Sequence, residues 1–153
     1  MTLRLRGLID LKNFTVACAE SCTGGLLMSH LTDFAGASAY VKGGIVAYNN
    51  DVKNKILRVK AETLKNFGAV SSQTALEMAT NVRELFDSTI GLSTTGVAGP
   101  DKSEDKEVGT VFIAAVGEDF SEVKEFHFSG SRSEIKSLAA DAAFELLMKR
   151  TIQ

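Results

Sequence analysis

Apolar and polar positions in this chain alternate with two periods, and the switches between them mark successive elements. Phe14–Ala19 reads as a buried strand, and GGLLMSHLTDF after it reads as a short helix starting near Gly25. GGIVAY, Gly43–Tyr48, is a second strand, a β-branched apolar run behind a flexible glycine pair. NDVKNKILRV then carries a helical start signal, because Asn50 or Asp51 can accept hydrogen bonds from first-turn amides. Ser71 or Ser72 caps a longer helix reaching about Phe86, whose stripe of Ala75, Met78, Ala79, Val82 and Phe86 follows the i, i+3, i+4 rule.

The second half of the chain changes character. STIGLSTTG reads as a strand running into a turn, and VGTVFIAAVG and SEVKEFHFSG read as paired strands around Glu118 and Asp119. Ser131-x-x-Glu134 is a capping box that opens a helix to Arg150. Ile135, Leu138, Ala139, Ala142 and Leu146 form its buried stripe, and Lys149 and Arg150 suit its negative C-terminal end. Strands alternating with helices, followed by paired strands, predict an α/β fold with a mixed sheet covered by helices on both faces. In open sheets of this kind ligands sit where strand C-terminal ends meet helix N-termini. ESCTGG, YNNDVK and STTGVAGP fall at such junctions, and SGSR opens the last helix.

Composition narrows the classes of function. The 153 residues, with 44% apolar and 24% charged side chains, suit one soluble domain over 1–153 that buries roughly 70% of its unfolded surface. Seventeen basic and 19 acidic residues give a net charge of −2, well mixed, so the clustered basic surface that nucleic acid needs is missing. A small phosphorylated ligand needs only one or two cations. Arg4, Arg6, Asp10 and Lys12 interrupt the first segment, which therefore has no signal-peptide core, and no apolar run approaches a membrane span. Cys18 and Cys22 are spaced for neither a redox motif nor a zinc site, and no other cluster has metal-ligand spacing. A cytoplasmic protein without metal, cofactor, nucleic-acid or membrane partner is expected.

Ser21 sits between a buried strand and a glycine-rich helix entrance, where amides of Cys22, Thr23, Gly24 and Gly25 can hold an oxyanion or a phosphate. The same features suit a turn serine, and a serine nucleophile requires a base. Only two histidines are present. His30 is nine residues downstream on the same predicted helix, roughly 13 Å along its axis. His127 alternates with Phe126 and Phe128 and points away from their face. Lysine replaces histidine when its ammonium is desolvated or placed beside positive charge. Lys53 is the best placed, in the first turn of a helix just after a strand that ends at Tyr48, and Tyr48 can orient it or relay a proton. Each has an alternative role, as a solvated lysine and a half-buried aromatic.

Thr94, Thr95 and Gly96 suit contacts to a phosphate, ribose or amide, and equally a strand-ending turn. The Arg132 fork can take a carboxylate or phosphate bidentately or simply face solvent. Glu20 can accept from amides or a lysine, or bind a substrate hydroxyl. Cys22 is a weaker nucleophile candidate beside a helix start. Neither a P-loop nor a dinucleotide GxGxxG is present.

AESCTGG, GGIVAYNNDVK, FGAVSSQTALEMA, STTGVAGP, VGTVFIA and FSGSR, in this order, resemble the CinA C-terminal-domain family, whose characterised activity is nicotinamide mononucleotide amidase. The resemblance implies a three-layer α/β/α sandwich with a mixed β-sheet, and hydrolysis of a pyridine nucleotide to nicotinic acid mononucleotide and ammonia. It places the family's catalytic serine on Ser21, its lysine on Lys53, its associated tyrosine on Tyr48 and its TG-x-AGP threonine on Thr95. It also implies a homo-oligomer, here in a form without the N-terminal molybdopterin-binding-like domain that many members carry. The chain departs from the pattern at DKSEDKE, which lacks the usual glycine pair and has Glu107 where a proline is usual, and at Ser131, where an acidic residue is favoured. A non-catalytic nucleotide-binding or regulatory domain, and a serine–lysine hydrolase of another amide, are the alternatives.

Overall fold

The computed structural model describes residues 14–152. Strands β1 (Val16–Glu20) and β4 (Thr110–Val116) are buried along their whole length, which is why both, apart from Glu20 and Thr110 at their ends, are continuous apolar runs rather than alternating ones. Alternation persists in which face each side chain meets. Val111, Ile113 and Ala115 of β4 join one core, and Phe112, Ala114 and Val116 join another on the opposite side.

With β2 (Val41–Val46), β3 (Ile90–Gly96) and β5 (Ser121–His127) these strands form one five-stranded sheet in the order β2-β1-β3-β4-β5. β1 pairs in parallel with both β2 and β3, whereas β3–β4 and β4–β5 are antiparallel, so the sheet is mixed as expected. The three parallel strands end at the same edge of the sheet, and their C-terminal ends carry three of the junctions singled out in the sequence.

Helices α1 (Leu26–Thr32) and α5 (Arg132–Ile152) cover one face, with Leu27, Leu31, Ile135, Ala139 and Leu147 packed on Val16, Leu92 and Ile113. The other face is covered by α2 (Asn50–Lys55), α3 (Ala61–Phe67) and α4 (Ser72–Leu85), through residues such as Leu57, Met78 and Val82. The result is the three-layer α/β/α sandwich. Ser71 caps α4 by accepting from the Thr74 amide at 3.1 Å, and Ser131 and Glu134 form their capping box on α5. Among the described residues, no helix is long and apolar enough to cross a membrane.

Several boundaries and faces differ from expectation. β2 ends at Val46, two residues before Tyr48, and the α2 cap is Asn49, whose Oδ1 accepts from the Val52 amide at 2.9 Å. Helix α3 has no side-chain cap of its own; its start is tied to Glu77 of α4, which accepts from the Lys60 amide at 2.8 Å and from the Thr63 hydroxyl. On α5 the buried face is rotated toward Ala140, Ala143 and Leu147, leaving Leu138 41% exposed.

Close approach of α4 to β3 depends on one small residue. A Cβ on Gly91 would lie 1.9 Å from the Ala79 carbonyl oxygen, while two residues on, the Ser93 hydroxyl donates to the Ala75 carbonyl at 2.6 Å. Gly91→Ala is therefore expected to lower stability by about 3 kcal/mol, read as a reduced urea midpoint at unchanged m-value. An unaltered midpoint would mean that α4 can back away from the sheet freely.

Candidate active site

Ser21 is the first residue beyond β1. Its amide continues the parallel ladder by donating to the Thr94 carbonyl at 2.9 Å, and its side chain is buried at the sheet edge. Lys53 reaches it from α2. The lysine is 1% exposed, and Nζ stands 2.9 Å from Ser21 Oγ, 2.9 Å from the Ala47 carbonyl oxygen and 3.5 Å from the Tyr48 carbonyl oxygen. A neutral amine has two N–H donors and one lone pair. Here Nζ donates to Ser21 Oγ and to the two carbonyls; a neutral amine keeps the two carbonyl contacts and turns its lone pair to the Ser21 hydroxyl.

Burial is the main reason that the Lys53 amine is held below its ordinary lysine value of 10.5; Cys22 and Glu104 oppose the shift weakly. Among the described residues no carboxylate forms an ion pair with it. The cause thus differs from the helix-end charge that the sequence suggested: α2 has only six residues, and desolvation dominates. Cys22 is no rival nucleophile, since burial pushes its thiol up to about 12. Neither histidine approaches the pair. His30 Nδ1 lies 3.6 Å from Asp141, and His127 is exposed beside Glu125 at 3.0 Å.

The expected anion cradle at the start of α1 is already occupied from within. Glu20 is buried, and its carboxylate accepts from the amides of Gly25 (3.0 Å), Leu27 (3.1 Å) and Met28 (2.8 Å) and from the Thr23 hydroxyl at 2.5 Å. Thr23 also shares a 2.7 Å hydrogen bond with Thr94. Of the partners open to Glu20 in the sequence, the structure gives it amides; Glu20, Thr23, Gly24, Gly25 and Thr94, expected at the substrate, do not line the cleft, and their hydrogen bonds run within the turn and to β3. Gly24 and Gly25 serve the turn, with φ of 60° and 104°. Of the four amides expected to steady an oxyanion, Gly24 donates to Ser21 O and Gly25 to Glu20, whereas the Cys22 and Thr23 amides have no oxygen acceptor among the described residues, and of these two residues Cys22 lines the cleft.

Ser21, Cys22, Lys53, Tyr48, Thr95, Gly96 and Arg132 do come together, around an open cleft of about 500 Å³. Thr95 is buried and donates to the Ala69 carbonyl at 2.7 Å, which leaves its oxygen free to accept. Tyr48 meets Lys53 only through its main chain. Its ring is 59% exposed, and its hydroxyl accepts from Arg132 Nη2 at 2.6 Å, so the phenol does not orient the lysine as expected.

Sequence reasoning missed Glu104 and the Asn49–Asn50 pair, which also line the cleft. Glu104 binds the 101–107 loop to the start of α4 by accepting from the Ala69 and Val70 amides, both at 2.9 Å. The departure of DKSEDKE from the family pattern was the only signal available for it. Among the described residues no group of three or more His, Cys, Asp or Glu side chains is arranged to hold a metal ion.

Comparison with known proteins agrees with this architecture. The family model described as "CinA C-terminal domain" matches residues 2–151. The chain is 50% identical over 138 residues to the "Putative competence-damage inducible protein" of Bacillus subtilis (strain 168), covering 90% of this chain and 33% of that protein. It therefore spans about a third of the length of such curated relatives. Among solved structures, competence damage-inducible protein A from Klebsiella pneumoniae superposes with a TM-score of 0.94 at 31% identity, covering 99% of this chain and 95% of that one. The competence/damage inducible protein CihA from Agrobacterium tumefaciens gives 0.91 at 38% identity, with 99% and 94% coverage. A match along almost the whole sequence and the same fold from end to end lead to one conclusion: the chain belongs to the CinA C-terminal domain family.

Proposed function

We propose that this chain is a serine–lysine amidohydrolase that converts nicotinamide mononucleotide to nicotinic acid mononucleotide and ammonia. The observation that carries the reading is the fully buried Lys53 amine, 2.9 Å from Ser21 Oγ and without a carboxylate to keep it charged. A neutral lysine in that position is a base for serine.

In the proposed reaction the Ser21 oxygen attacks the carboxamide carbon while its proton passes to Lys53 Nζ. The Cys22 amide donates to the oxyanion that forms. The tetrahedral intermediate collapses as the Lys53 ammonium protonates the amide nitrogen; the C–N bond breaks and ammonia leaves. Water then attacks the acyl-Ser21 ester as its proton passes to Lys53; the ester bond breaks as the Lys53 ammonium returns that proton to Ser21 Oγ, and the acid departs with both residues restored. Thr95 and Asn50 are close enough to the cleft to hold the ribose and carboxamide, and Arg132 is the cation for the phosphate. Support for the substrate comes from the family resemblance. The altered 101–107 loop keeps another amide in view as an alternative.

Ammonia release from nicotinamide mononucleotide is expected from the purified chain and is expected to fall at least ~10³-fold in Ser21→Ala and in Lys53→Met, both folded. No release from a folded wild type would favour the binding-module reading. Covalent labelling of Ser21 without turnover of the mononucleotide would point to another amide.

The lysine's depressed pKa gives kcat/KM a rising acid limb, with activity increasing as pH passes through that value, below 10.5. A flat profile over that range would remove Lys53 as the base.

Stability follows the same titration. Between the folded pKa and 10.5 the unfolded chain binds the lysine proton and the folded chain does not, so wild-type stability relative to Lys53→Met rises with pH across that window. Below the folded pKa the buried ammonium is a full penalty, and Lys53→Met is expected to melt no lower than wild type there. Parallel melting curves for the two proteins at every pH would contradict a depressed lysine.

A further inference from the structure

Arg132 is the first residue of α5, and its guanidinium joins two segments of the cleft wall. Nη1 donates to the Gly99 carbonyl in the STTGVAGP turn, and Nη2 donates to the Tyr48 phenol oxygen at 2.6 Å. A guanidinium offers five N–H groups in a rigid planar fork. Two anchors on different nitrogens fix the plane of that fork, and the other three N–H groups have no acceptor among the described residues. The anchor on Gly99 is main chain and survives any side-chain change. The anchor on Tyr48 is a side chain that is itself 59% exposed and makes no hydrogen bond to Ser21 or Lys53.

That arrangement separates two jobs of one residue. The Tyr48 carbonyl lies 3.5 Å from Lys53 Nζ and belongs to the catalytic pair's surroundings, whereas the phenol belongs to Arg132. We propose that the Tyr48 side chain is a positioning residue for substrate selection: it holds the Arg132 fork so that its free N–H groups meet the substrate's anionic group, and it takes no part in proton transfer between Ser21 and Lys53. The identity of the anion as a 5′-phosphate rests on the mononucleotide reading above. An arginine tethered only by Gly99 keeps more of its side-chain freedom and must lose it on binding, so the loss appears in affinity for the anion and not in the chemical step.

The test uses binding and turnover separately. In the Ser21→Ala background, calorimetry measures affinity for nicotinamide mononucleotide and for nicotinamide riboside, which lacks the phosphate. Tyr48→Phe is expected to weaken the mononucleotide about tenfold, to leave the riboside unchanged, and to add nothing once Arg132 is already alanine. In the active chain the same substitution is expected to raise KM about tenfold, with kcat and its acid limb unmoved. A fall in kcat with a displaced acid limb would make the phenol a proton-transfer group and overturn the proposal. So would an equal loss for both ligands, or a loss that persists in Arg132→Ala. Binding of the mononucleotide without ammonia release would overturn the amidase reading alone, because the binding arm still reports on the tyrosine. A wild type that binds no mononucleotide would overturn both.

Discussion

A lysine amine with 1% of its side chain exposed is the constraint around which the active edge of this fold is arranged. An ammonium in that position would have to give up most of its hydration for one serine and two carbonyls. Neutralising the amine removes the difficulty and makes it basic at the same time. Shape enforces the burial: β2 ends early, Ala47 and Tyr48 turn their carbonyls inward, and a six-residue helix capped by Asn49 points Lys53 back toward β1. Ser21 is held by its own main chain, which extends the β1–β3 ladder by one hydrogen bond.

Glu20 determines what kind of site this is. A glycine-rich turn opening a helix is a ready anion site, and here the chain's own carboxylate fills it with three amides and a hydroxyl. Those amides at the start of α1 are thereby already paired, while Ser21 and the Cys22 amide still line or adjoin the cleft. On the opposite wall Arg132 stands at the start of α5, the cation assigned to the anion in the proposed reaction. The residues at the ends of the three parallel strands thus divide into an internal network that builds the turn and an outer set that lines the cleft.

Much of this was legible because local pattern and tertiary environment agree. β4 and α4 show the periods of a doubly buried strand and a one-sided helix, and Ser71 and the Ser131–Glu134 box carry their caps in adjacent sequence. Where the cap comes from elsewhere the pattern is silent: α3 owes its start to Glu77 on α4. Leu138 matched the helical stripe, yet alanines pack closer to the sheet and rotate that face away from it. Ser21 and Lys53 were readable as candidates from their junctions, but their 2.9 Å separation and the burial that depresses the lysine arise only when β1 and β2 pair. Glu20 illustrates the opposite limit. Its place beside a serine left amides, a lysine or a substrate hydroxyl open as partners, and only the positions of four donors around it select the structural cap.

The charge of one amine decides whether Ser21 has a base. Following the Lys53 ε-carbon shift of selectively 13C-labelled protein against pH would report that charge directly, with Lys53→Met assigning the resonance. The account predicts a midpoint below the ordinary lysine value of 10.5, separated from those of the solvated lysines. A Lys53 resonance that titrates together with the surface lysines would contradict it, leaving Ser21 without a base.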